Sequence, residues 1–170
     1  MNEMTEEQKS AHFDTWQHIH EVQKLIFNFI NKLNFRALVH DYSKMQNPEM
    51  ETFAKFTPLL KNTIYGTEEY KKILHEMGDA IDCHYYHNRH HPEYYLNGIN
   101  GMDLVDLIEM LCDWKAASKR TKDSNFEKSL EINKERFKIS DQLFQILKNT
   151  VNNYWNHEKQ LQNTLKDLIS

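Results

Sequence analysis

Four histidines fall within eight positions in the stretch CHYYHNRHHPEYY, residues 83–95. They are His84, His87, His90 and His91, and Asn88, Arg89, Glu93 and four tyrosines surround them. Imidazole nitrogen is a good donor to Mn, Fe, Co, Ni or Zn. His87 and His91 stand four residues apart and share a face if helix persists through them, a spacing that suits two ligands on one ion. The plainer alternative is a solvated helix end, and the spacing alone leaves both open.

Three more groups bear on that choice. His40-Asp41 pairs an imidazole with a carboxylate at adjacent positions, where both can reach one ion from a bent or terminal turn; a capping Asp41 beside a hydrogen-bonded His40 is the other reading. His18 continues an apolar stripe and so faces inward, whereas His20, two residues on, points about 200° away. Asp106, Glu109 and Asp113 make an acidic stripe at spacings of three and four. Leu104, Leu107, Ile108 and Leu111 occupy another side of that segment, so periodicity alone sends the acids to solvent.

The elements that must carry these residues read as helices. Four Gly and three Pro in 170 residues are too few for a turn-rich β fold. Thr5-x-x-Gln8 has the form of a capping box and opens a helix to about residue 33. Val22, Leu25, Ile26, Phe29 and Leu33 form its apolar stripe, which runs back to His18. A short helix is expected over 35–45, a break at Asn47-Pro48, a piece over 49–57 and a second break at Pro58. Thr67 starts a helix whose stripe is Tyr70, Ile73, Leu74, Met77 and Ile81; the same stripe reaches His84 and turns it inward. That helix ends near Pro92. Residues 102–118 form another helix. The charged KRTKDSN stretch leads into a last helical region, with Ser140-Asp141 capping its second half. The expectation is an all-α chain, one compact domain over 1–170 with six or seven helices.

In order, these residues run H…HD…H…HH…D, and here the sequence resembles the HD-domain superfamily of metal-dependent phosphohydrolases. HDYSK, HNRHHPEYY and EMLCDWKAAS together are most similar to an uncharacterised HD-like family common in phage and bacterial genomes. The resemblance covers roughly residues 15–120, and residues 121–170 would be a C-terminal helical extension packing on that core. It implies a metal held by His18, His40, Asp41 and Asp113, with Asp106 a substitute for Asp113 and His20 for His18. It implies further ligands for a second ion among His84, His90 and His91. One or two divalent transition metals would be bound, Asp41 bridging them if there are two. No GYP follows the histidines, which counts against a cyclic-di-GMP phosphodiesterase.

The activity so implied is hydrolysis of a nucleotide or related phosphomonoester by metal-activated water. Lys44, one turn past Asp41, and Arg89 could grip the phosphate, or could be surface ion pairs. His87 or His84 could be the acid for the leaving group. Two other readings use the same residues: a diiron oxygenase on an HD-type scaffold, and a phage-type helical interaction protein whose metal is structural or absent. Phe137, Leu143, Phe144, Ile146, Leu147, Val151 and Trp155 suit a core, or a homodimer face. A net charge of −4 gives no strong nucleic-acid signature. Two scattered cysteines fit a reduced cytoplasmic protein, MNEMTEEQKS lacks the marks of a secretory leader, and no apolar run is long enough for a membrane span.

Overall fold

A computed structural model of the protein describes residues 4–120 and 125–156. The fold is all-α: seven α-helices and no strand lie among the described residues. They are α1 (Glu6–Val39), α2 (Glu49–Asn62), α3 (Glu68–Glu76), α4 (Asp79–His87), α5 (Leu104–Ser118), α6 (Phe126–Phe137) and α7 (Asp141–Val151). Short 3-10 turns at Tyr42–Met45, Pro92–Tyr94 and Gly98–Gly101 join some of them. The chain divides into two units, Met1–Tyr42 and Ser43–Ser170. Residues 121–124 of the charged connection and 157–170 of the expected C-terminal extension lie outside the described residues.

The first unit is dominated by α1. Its start follows the sequence: the Thr5 hydroxyl accepts from the Gln8 N–H, and the Gln8 side chain accepts from the Thr5 N–H. Its end does not. The expected stop near residue 33 is absent, because Phe35, Arg36, Ala37 and Leu38 contain no helix breaker; the helix runs on to Val39. His40 leaves the helical region with ψ at 125°, and Asp41 takes a left-handed φ of 56°, a conformation aspartate tolerates better than most residues. The expected helix over 35–45 is therefore the tail of α1 and a 3-10 turn. No residue of α1 is buried. His18 is exposed, as are Val22, Leu25, Ile26 and Phe29, so the inward face expected for this stripe is not found. A lone helix has no second element in its own unit to cover an apolar side.

The second unit departs from expectation at three points. Pro58 does not end α2, because the helix closes later with side-chain bonds: Asn62 donates to the Pro58 carbonyl and Thr63 to that of Leu59. The helix expected to run from Thr67 to Pro92 is two helices. Gly78 separates them at φ 53° and ψ −134°, a backbone shape that an L side chain strains to adopt. Finally, α4 stops at His87. The Asn88 side-chain amide donates to the His84 carbonyl at 2.8 Å, taking the acceptor that a continuing helix would give to the Asn88 N–H.

The core of this unit joins Met110 and Leu111 of α5 to Phe126 and Leu130 of α6 and to Phe144 and Leu147 of α7. Trp114 stacks on Phe137 at 5.8 Å. Burying each large apolar side chain contributes about 1.5–3 kcal/mol, so α6 and α7 fix α5 from one side. Phe144, Leu147 and Val151 are thus core residues, while Ile146 is exposed. Asn125 caps α6, Lys138 ends it in the left-handed region, and Ser140 caps α7 as expected.

Candidate metal centre

Within the second unit, α4 and the segment after it bring three imidazoles together. His84 and His90 are each 1% exposed. His91 is half-buried where the 3-10 turn at Pro92–Tyr94 begins. The ring centroids of His84 and His91 are 4.8 Å apart, and those of His90 and His91 are 4.2 Å apart. His84 Nε2 lies 2.9 Å from His91 Nε2.

The opposite nitrogens decide what those atoms can do. His84 Nδ1 is 3.0 Å from Oε2 of Glu49, which opens α2 and is 2% exposed. His90 Nδ1 is 3.1 Å from Oε1 of Glu109 on α5, itself 9% exposed. An ionised carboxylate only accepts, so each Nδ1 carries the proton and each Nε2 presents its lone pair. Metal-binding histidines are held by carboxylates in this way. Ser43 donates to the same Glu49 oxygen at 2.9 Å, and Asn88 donates to the Ser43 hydroxyl. Two nitrogens on adjacent positions of one ion, with bonds of ~2.1 Å at a right angle, stand about 3 Å apart. The Nε2 pair fits that separation, and the neutral imidazoles fit a divalent transition metal.

The segment carrying His90 and His91 is fastened to α5. Asp103 and Asp106 form a capping box at the start of that helix, which turns Asp106 inward until it is 0% exposed. Arg89 donates to both Asp106 oxygens, at 3.3 and 3.2 Å, and lies 3.5 Å from Asp103. The Tyr95 hydroxyl donates to Asp106 as well. These bonds hold the Arg89 guanidinium even further above its ordinary range. Desolvation, with the Asp106 bond behind it, pushes the Tyr95 phenol up. The expectation that Asp106 and Glu109 face solvent is thereby corrected: capping turns one inward and His90 holds the other, while Leu104 and Ile108 are exposed.

A second polar group backs His91. Tyr85 lies 4.8 Å from the His91 ring. Arg136 of α6 reaches Glu93 at 2.7 Å and the Tyr65 and Tyr85 hydroxyls at 3.4 Å, and Tyr65 donates to Asn133. Desolvation pushes the Tyr65, Tyr70 and Tyr85 phenols up.

The other expected residues are placed as follows. Asp113 is half-buried on α5 and raises the neighbouring Tyr70 phenol slightly. Lys44 lies over the Phe53 ring at 4.9 Å, and that ring packs edge-on to His84 at 5.4 Å. His87 is exposed, and its Nδ1 donates to the Cys83 carbonyl at 2.8 Å. With α4 ended at His87, the expected His87–His91 face does not exist; His91 meets His84 instead. Arg89 is engaged in the ion pair that was one of its two readings. His18, His40 and Asp41 belong to the first unit. There His40 Nε2 and Asp41 Oδ2 are 3.6 Å apart. Glu49, Ser43 and Asn88 were not singled out from the sequence. Glu49 looks like an ordinary first-turn acid, and nothing local marks it as the partner of a histidine 35 residues on.

These features define an all-α protein whose second unit carries a buried centre of three imidazoles, two of them braced by glutamates. The chain belongs to DUF5662, a family of unknown function whose profile matches residues 7–153. It matches no curated protein and no solved structure. Among the described residues no helix is long and apolar enough to cross a membrane.

Proposed function

We propose that this protein is a divalent-metal phosphohydrolase acting on a nucleotide or related phosphomonoester, with a Mn, Fe, Co, Ni or Zn ion held by the Nε2 atoms of His84, His90 and His91. The carrying observation is the pair of buried His–Glu contacts, 3.0 Å at His84 and 3.1 Å at His90, which turn two coordinating nitrogens toward the third imidazole. A divalent ion there supplies a Lewis acid for a phosphoryl oxygen and lowers the pKa of its bound water. The chain's own groups do the rest. Glu49 and Glu109 fix the ring tautomers. Arg89, through Asp106, fixes the segment that bears His90 and His91. Lys44, over the Phe53 ring that packs on His84, supplies positive charge that draws an anion to this end of α4.

Elemental analysis of the purified protein, with phosphate release from a panel of nucleotides and phosphomonoesters under each metal, tests the reading. Wild type is expected to hold metal and hydrolyse at least one member; His84→Ala is expected to lose the activity and the metal equivalent of the three-histidine centre while keeping its helical circular dichroism. Metal content in His84→Ala equal to that of wild type removes the site. Bound iron with oxygen consumption and no phosphate release replaces the activity with an oxygenase.

A further inference from the structure

The helix that carries His84 bears a second set of donors on another side, and they include the thiol of Cys83. Cys83 and His87 are four residues apart on α4, so their side chains meet on one face. Cys83 Sγ is 3.6 Å from His87 Nδ1. A carboxylate oxygen of Glu49 completes the group, the three donor atoms all within 4.8 Å of one another. For a tetrahedral ion with bonds of ~2.3 Å to sulfur and ~2.05 Å to nitrogen, the two donors stand about 3.6 Å apart. The observed separation is that value.

We propose that Glu49, Cys83 and His87 form a second cation site, one that takes a thiophilic divalent ion such as zinc, cobalt or cadmium. Sulfur beside imidazole selects such ions over magnesium or calcium, which prefer oxygen. Three protein donors leave a fourth position to water, as in zinc sites open to exchange. Cys83 is partly exposed and His87 exposed, so an ion reaches them from solvent without rearrangement of the core. Glu49 is buried and brings a carboxylate oxygen within 4.8 Å of both. Binding releases the Cys83 thiol proton, and His87 moves its proton from Nδ1 to Nε2, giving up its bond to the Cys83 carbonyl. Glu49 also braces His84, so the two sites share one carboxylate. The second site does not depend on the phosphohydrolase reading.

Cobalt(II) titration of the full chain, without chelating thiols, tests it. Thiolate bound to cobalt gives a charge-transfer band in the near ultraviolet, which a site of histidine and carboxylate alone does not. Wild type and Cys112→Ser are expected to show the band, saturating at one equivalent. Cys83→Ser is expected to lose the band and one equivalent of bound cobalt, while keeping whatever the three-histidine centre holds. His87→Gln, at an exposed position, is expected to weaken the band's titration about tenfold or more. Absence of the band from wild type, its survival in Cys83→Ser, or its loss in Cys112→Ser overturns the proposal. None of those results touches cobalt bound at the three-histidine centre, which the equivalents remaining in Cys83→Ser report separately.

Discussion

Replacing Asp106 by alanine removes the post to which the histidine segment is tied, and the structure sets the size of the effect. The carboxylate is fully buried and accepts from Arg89 twice, from Tyr95, and from the Asp103 N–H. Loss of the reciprocal capping bond costs about 0.5–1 kcal/mol. Stranding the Tyr95 hydroxyl adds about 1–1.5 kcal/mol. Arg89 is 46% exposed, so water replaces much of what it loses, and its share is about 1 kcal/mol. The total is about 2.5–3.5 kcal/mol, roughly 5–14 °C in Tm for a chain of this size. Asp106→Asn keeps the volume and one acceptor and is expected to lose about half as much. Arg89→Ala is expected to cost about 1 kcal/mol, and the double variant to cost less than the sum of the two singles. Urea unfolding followed by circular dichroism reads all four proteins. An Asp106→Ala protein within about 0.5 kcal/mol of wild type refutes the reasoning. So does an Arg89→Ala protein of unchanged stability whose KM for a phosphate substrate rises several-fold, since that is the behaviour of a phosphate clamp.

Glu49→Gln and Glu109→Gln keep shape but remove the charge that holds each Nδ1 proton; each is expected to weaken metal binding about 10–100-fold by competition with a chelating dye, and unchanged affinity in both cancels the bracing role. The Tyr65, Tyr70, Tyr85 and Tyr95 phenols all have folded-state pKa values raised above the ordinary 10.0, with desolvation the largest cause. A raised folded value contributes stability that is complete below the unfolded pKa and lost as pH climbs through the folded one, so denaturation midpoints are expected to hold to about pH 10 and fall beyond it. Tyrosinate absorbance in the folded protein is expected to lag that of the unfolded chain over the same range, and coincident titrations contradict the burial argument.

The all-α class was legible because it rests on composition and on local signals. Thr5 with Gln8, Thr67, and Ser140 each place a helix start where the hydroxyl is found accepting. The periodicity through Ile81 turned His84 inward, and it is buried, although the continuous helix that argument assumed is broken at Gly78. Two kinds of information were not local. Asn88 ends α4 by bonding back to His84, which hydropathy does not register. Asp106 and Glu109 lie on the polar side of α5 by pattern, yet capping and a histidine on another segment bury them. Glu49 was invisible for the same reason, since its partner lies on a different helix. The histidine cluster could thus be seen in the sequence, but not the carboxylates that give its nitrogens their roles.

The segment from Asn88 to Tyr95 contains only one short 3-10 turn, and by composition it would count among the first parts of a protein to loosen. Here it is tied at both ends and between them: Asn88 to Ser43, Arg89 and Tyr95 to Asp106, His90 to Glu109. Two of those anchors stand on α5, whose Met110 and Leu111 are held in the core by α6 and α7. A local opening that freed the histidines would have to strip α5 of its polar contacts while leaving it packed, and such a half-open state has little to hold it together. The histidine centre is therefore expected to open with the core as one cooperative unit, its amide hydrogens exchanging with solvent on the timescale of global unfolding rather than of a surface loop.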